Sequence, residues 1–201
     1  MLAVLTVDQR DSRDHPDAVP ALLTALRPVP TLRPFQRTAG DEVQGVLDDA
    51  AAVVEAVGLL LRDGHWWLGL GVGPVDVPLP EETRAGGGPA YVLAREAVTK
   101  AKWAPHRLRV VGADPYAAEQ LETVLGLWAG LLERRTDRGW EVADALAGGL
   151  SHTEAGHRLG ISQSAVTQRA QAAAVADERR ARLLATQLLS AMLDREEEEE
   201  G

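Results

Sequence analysis

From residue 114 onward the chain offers helical spacing and no strand-forming run, whereas the first 111 residues alternate short strands with helices. That break constrains the fold more than any other feature, because a helical tail cannot be threaded through a sheet that has already been completed. Residues 2–7 read as a buried strand that delivers Asp8 at its end, and residues 19–26 as a short helix stopped by Pro28, Pro30 and Pro34. Strands at 35–38 and 42–47 form a hairpin around Gly40, and a helix at 50–62 is capped by Asp48 or Asp49 and ended by Asp63-Gly64. A glycine-rich strand is expected at 65–77, a helix from Pro89 to about Lys102, and a last strand at 107–111. Gly69, Gly71 and Gly73 alternate on one face of the glycine-rich strand, leaving room for a ligand or for a packed helix. Helices follow at 116–134, 139–147, 153–159, 163–174 and 177–193. The order implies an α+β fold: an antiparallel or mixed sheet with helices on one face, then an all-α module. The expected divisions are 1–113, a connecting helix at 114–137, a helical domain at 138–193 and a disordered acidic tail at 194–201.

Composition narrows the function. With 45% apolar residues the chain can build its own core, and with no cysteine it has neither disulfides nor thiolate metal sites, which fits a cytoplasmic protein. No leader is expected at the N-terminus, and the apolar runs at 50–61 and 121–132 are too short for a membrane span. A formal charge of −9 argues against indiscriminate nucleic-acid binding, although Glu196 to Glu200 carry much of it on the tail.

The stretch LSHTEAGHRLGISQSAVTQRAQAAA at 150–174 reads as a helix, a turn at Gly160 and a second helix capped by Ser162. Ala155, Leu159, Ile161, Val166 and Ala170 supply a small core, and Gly156 permits close approach. The outward side chains are Gln163, Ser164, Thr167, Gln168 and Gln171, which suit base edges, while Thr153, Arg158, Ser162 and Arg169 suit phosphates. A solvated face normally carries Glu and Lys pairs, and this one has almost no charge. The pattern resembles the helix-turn-helix of LuxR-type and MarR-type regulators and of sigma-factor region 4, departing only in Ala155, where a larger aliphatic is usual. The resemblance implies double-stranded DNA as partner and a homodimer whose two modules share the load. The final helix, with Leu183, Leu184, Leu188, Leu189 and Leu193, either supplies the dimer interface or covers the module's own core.

Asp8 and Asp41 are carboxylates that would meet if their strands are neighbours, and such a pair suits Mg²⁺. Asp8 in the first strand, Gly40-Asp41-Glu42-Val43-Gln44-Gly45, and Gly88-Pro89-Ala90 with Ala94-Arg95 resemble the SatD family. More distantly the layout resembles class III nucleotidyl cyclases and GGDEF domains. This resemblance implies a ferredoxin-like, palm-like sheet, metal at Asp8 and Asp41, and nucleotide contacts from Arg37 and Arg95. Where the cyclases place a base-recognising lysine and a transition-state asparagine, this chain has Arg37 and Tyr91, and a phenol cannot reproduce an amide's bonding. The expectation is therefore a DNA-binding transcription regulator, without enzymatic activity or a required cofactor, whose cyclase-like domain senses a ligand or dimerises. The alternatives are a metal-dependent cyclase or nucleotide-binding protein using Mg²⁺, and a protein-interaction scaffold. The histidines are expected in surface or capping roles, and Trp66, Trp67 and Trp103 in packing.

Overall fold

The computed structural model describes residues 1–12 and 14–194. The expected acidic tail, Glu196 to Glu200, lies outside the described residues. Strands β1 (Leu2–Gln9), β2 (Arg33–Arg37), β3 (Glu42–Leu47), β4 (Trp66–Gly73) and β5 (Leu108–Gly112) form one mixed sheet in the order β2-β3-β1-β4-β5. β1 runs antiparallel to β3 and β4, β2 antiparallel to β3, and β5 parallel to β4. The α+β class expected from the sequence is what the chain adopts.

β1 is central, and an apolar run without polar alternation is what a strand buried on both faces requires. Leu5 and Val7 face a large core, while Val4 and Thr6 face the other side. The large core is covered by α1 (Val19–Leu26), α2 (Ala50–Asp63), α4 (Pro115–Glu133) and α8 (Val175–Leu193). On the opposite face lies α3 (Pro89–Ala101).

The expectation of helices on one face is thus corrected, and the glycines supply the reason. A Cβ at Gly69 would lie 2.1 Å from the Val98 backbone nitrogen, and one at Gly71 2.3 Å from that of Ala94. Ala90, Ala94, Ala97 and Ala101 form the facing seam of α3, all fully buried. Small residues on both partners let helix and strand backbones touch, so the glycine stripe holds a helix rather than a ligand.

β4 ends at Gly73, four residues before the expected end, because residues 74–88 cross over to the β2 edge. Arg33 fastens that loop by donating to the carbonyls of Leu79 (2.8 Å) and Pro80, and Thr83 donates to the Pro34 carbonyl at 2.6 Å. Trp66 packs in the core as expected, but Trp103 is 91% exposed, a second correction. It stands on the solvent side just past the end of α3, whose opposite face is given over to the alanine seam.

α4 and α8 were expected as a connector and as part of the helical domain. By packing, both belong to the sheet: Leu121, Leu125, Trp128, Ala185, Leu189 and Met192 share its core. The Met1 ammonium donates to the Leu193 carbonyl at 2.7 Å, tying the last turn of α8 to the start of β1. Between them α5 (Asp137–Ala147), α6 (His152–Leu159) and α7 (Gln163–Ala172) gather round a separate core of Val142, Ala145, Ala155, Val166 and Ala170. The three helices are thus an insertion between two helices of the sheet lobe. No described helix is long and apolar enough to cross a membrane.

Candidate nucleic-acid interface

The acidic hairpin comes first because the fold puts its parts close together. In the β1–β3 register Asp8 stands opposite Glu42, not Asp41, so the carboxylate sharing its face is Glu42. Asp8, only 15% exposed, is ion-paired with Lys102 beyond the end of α3. Glu42 accepts from the Thr38 hydroxyl at 2.5 Å. Arg37 donates to Asp17 and holds that carboxyl below the usual carboxylate range; Asp41 also attracts it. Arg95 lies exposed on α3, and Tyr91, one turn earlier, is buried with its hydroxyl against Gly86.

A Mg²⁺ ion takes hard oxygen ligands and is repelled by a neighbouring cation. Asp8 already faces an ammonium, and among the described residues no three His, Asp or Glu side chains are placed to hold a metal ion. As it stands, Asp8 is turned to Lys102 and is not an open ligand. The histidines have other neighbours: His65 meets Asp63 at 2.9 Å, His106 meets Glu133 at 3.0 Å and His152 meets the Thr167 hydroxyl at 3.0 Å.

The helical insertion is built from strong local signals. Ser151 begins α6 with a capping box: its hydroxyl accepts from the Glu154 N–H, and the Glu154 carboxylate accepts from the Ser151 N–H at 2.8 Å. That carboxyl is held below its usual range by Ser151, through its hydroxyl first and its backbone N–H second. Gly160 takes the left-handed conformation at φ 66° and closes α6. A Cβ on Gly156 would lie 2.8 Å from the Ile161 carbonyl oxygen, so glycine is what lets the turn fold back on the helix. Ser162 then caps α7 by accepting from the Ala165 N–H at 3.2 Å.

On α7 the buried side is Val166 and Ala170. Ser164, Gln168 and Gln171 fall on the side opposite Val166 at 100° per residue, and all three are exposed, as is Gln163 in the first turn. Thr153 and Arg158 are exposed on α6. Thr167 and Arg169 are half-buried. The Thr167 hydroxyl donates to the Gln163 carbonyl at 3.1 Å and meets His152, so it is held at the rim instead of projecting freely. Sequence reading placed His152 on this module without seeing that partnership, which spans the turn and has no local signature.

Most cations of the sheet lobe are paired within the chain, Arg27, Arg95 and Arg134 being exposed exceptions among the described residues. On the sheet lobe Arg37, Arg84, Lys100, Lys102, Arg107 and Arg109 are all spent in ion pairs. Among the described residues Arg158 and Arg169 make none. Arg158 of α6 and Arg169 of α7 therefore stand beside the uncharged polar side chains of α7 without an ion-pair partner, as phosphate contacts require.

The insertion is also held in a fixed pose. Arg62 of α2 grips Asp144 of α5 through two bonds, 2.6 and 2.7 Å long, and depresses its carboxyl. Trp140 packs against the guanidinium groups of Arg62 and Arg135, 4.3 and 4.4 Å from its ring centre. Arg135, its side chain 1% exposed, donates twice to the Ala173 carbonyl and pairs with Glu178 at 2.7 Å. Ala173 caps the C-terminus of α7, so a cation from the sheet lobe sits where the helix dipole is negative. Between α5, α7 and α8 a cleft of about 900 Å³ reaches Thr167 and Gln171 from behind. No family model matches the chain, and neither does any curated protein or solved structure.

Proposed function

We propose that the protein is a sequence-selective DNA-binding transcription regulator that presents α7 to the major groove of double-stranded DNA. The observation that carries this reading is the outer face of α7: exposed Gln163, Ser164, Gln168 and Gln171, beside unpaired Arg158 and Arg169. Glutamine amides pair with adenine edges in two bonds, and the arginines and Thr153 supply phosphate contacts. The α6-turn-α7 arrangement, with its capping box, left-handed glycine and capped second helix, supports a helix-turn-helix in which α7 is the reading helix. The sheet lobe is the rigid base. Its first four strands, in the order β2-β3-β1-β4 with every neighbour antiparallel, support the ferredoxin-like reading. The pairing of Asp8 with Lys102 argues for a base that supports, senses or dimerises without metal-dependent turnover. A regulator of this kind works in the cytoplasm as a homodimer.

A genome-wide pull-down with the tagged full chain tests the proposal. Recovered fragments should share one motif, arranged as two half-sites, and a Gln163→Ala/Gln168→Ala variant should lose that enrichment. Fragments without a common motif, or a motif recovered equally by the variant, would overturn it.

A further inference from the structure

The cleft behind α7 continues toward the sheet lobe. Ala143, Ala147, Glu178 and Arg182 line both its wide part, of about 900 Å³, and a narrower limb of about 240 Å³ that is also lined by Arg135 and by Gly58 of α2. The wide part stays open because Ala143, Ala147 and Ala170 are too short to fill the space between three helices, and Leu146 and Val175 complete an apolar wall. A volume of roughly 300–1,000 Å³ with apolar walls and a few polar groups is the form of a small-molecule site.

Where the two parts join, donors are in excess. Of the carboxylates lining them, Glu178 pairs with Arg135, Asp144 with Arg62 and Asp177 with Arg180, while Glu55 stands exposed on α2. Arg179, exposed, and Arg182, half-buried, have no ion-pair partner among the described residues. The Arg182 guanidinium lies over the Trp128 ring at 5.2 Å and against α2, where a Cβ at Gly58 would come within 2.7 Å of its Nη1. Two further N–H groups are buried without an acceptor: Nη1 of Arg135, whose side chain is 1% exposed, and Nε1 of Trp128, beneath Arg182. A buried donor left without an acceptor is costly, and a carboxylate offers acceptors alone, in the geometry that a guanidinium fits.

We propose that this cleft binds a small organic acid with an apolar body, its carboxylate at Arg182 and its body along Leu146, Ala170 and Val175. A neutral or cationic molecule of the same shape would leave Arg182 without a counter-charge. The bound acid touches the rear of α7, the start of α8 and the arginines that join the insertion to the sheet lobe. The site stands on the cleft and its arginines, and goes beyond the DNA-binding reading.

Isothermal titration calorimetry on the full chain tests the site, with octanoate and hydrocinnamate as probes and octanamide, octylamine and acetate as controls. At least one of the two acids should bind one equivalent per chain, with octanamide and octylamine weaker by about tenfold or more and acetate undetected. Arg182→Gln should weaken the acid by about tenfold or more. Ala147→Phe, at an exposed helical position that lines both parts of the cleft, should block it and abolish binding, and both variants should keep the parent's circular dichroism melt. The comparison of octanoate with octanamide needs no variant. Binding of neither acid, equal binding of octanamide, or an affinity that survives either substitution would overturn the site. Motif-selective DNA binding by a chain that ignores both acids overturns the cleft alone, whereas acid binding by a chain that selects no DNA motif overturns the DNA reading alone.

Discussion

At the scale of single residues, the helical insertion depends on one missing side chain and two unpaired charges. Gly156 has no room for a Cβ beneath the Ile161 carbonyl, while alanine gains helix propensity of about 0.5–1 kcal/mol over glycine. The clash is with backbone, so it wins: Gly156→Ala should destabilise the insertion by about 1–3 kcal/mol, read as a lower melting temperature. An unchanged or higher melting temperature would mean that the turn moves aside without cost. Arg158 and Arg169 lack internal partners, so removing either should weaken binding to all sequences alike. Each substitution to alanine should reduce the slope of log affinity against log salt by about 1. The need for a small residue at Gly156 was legible from residue type and spacing; that Arg158 and Arg169 have no ion-pair partner was not, because it depends on which carboxylates the fold brings near. The His152–Thr167 contact was not, because its partners are fifteen residues apart and meet only when the turn closes.

At the scale of elements, α8 is where sequence and structure part. Its leucines recur at helical spacing, which says that one side is buried but not against what. The fold answers with the sheet, since Leu189 is fully buried in the core it shares with β1 and Leu125. Leu189→Ala should therefore destabilise the sheet lobe by about 2–5 kcal/mol, and a chain ended at residue 174 should fail to give a cooperative melt. A truncated chain that melts cooperatively would restore α8 to the helical module. The strands were legible for the opposite reason: β1, β3 and β5 are short, apolar and bounded by turn residues, so local chemistry marks them. The position of α3 was not, because the alternating glycines of β4 allow either a ligand or a helix until the alanine seam of α3 is seen to meet them. The acidic hairpin shows the same limit. Spacing put Asp8 and Asp41 near each other, but register and a lysine more than ninety residues away decide what Asp8 meets.

At the scale of the whole molecule, the helical insertion is bolted onto the sheet lobe by three groups: Arg62 with Asp144, Trp140 against two arginines, and Arg135 on the end of α7. Asp144 is the part that responds to acid. Its bond to Arg62 lowers its folded pKa below the unfolded value of about 3.9, so the stabilisation is present above that pH and lost as the pH falls through the folded value. Both side chains are roughly half exposed, and an exposed pair of good geometry contributes up to about 1 kcal/mol. Asp144→Asn should thus lower the melting temperature at neutral pH by a few degrees, and the gap from the parent should close below about pH 4. A gap that persists in acid would place the effect elsewhere.

The central claim is that α7 reads base sequence, and the most direct measurement is anisotropy on two labelled duplexes, the selected motif and a scrambled one, with the parent chain and Gln168→Ala. The account predicts that the parent prefers the motif, and that the variant loses about 1–3 kcal/mol of that preference while its affinity for the scrambled duplex is unchanged. Equal affinity of the parent for both duplexes, or a preference that survives Gln168→Ala intact, would contradict it.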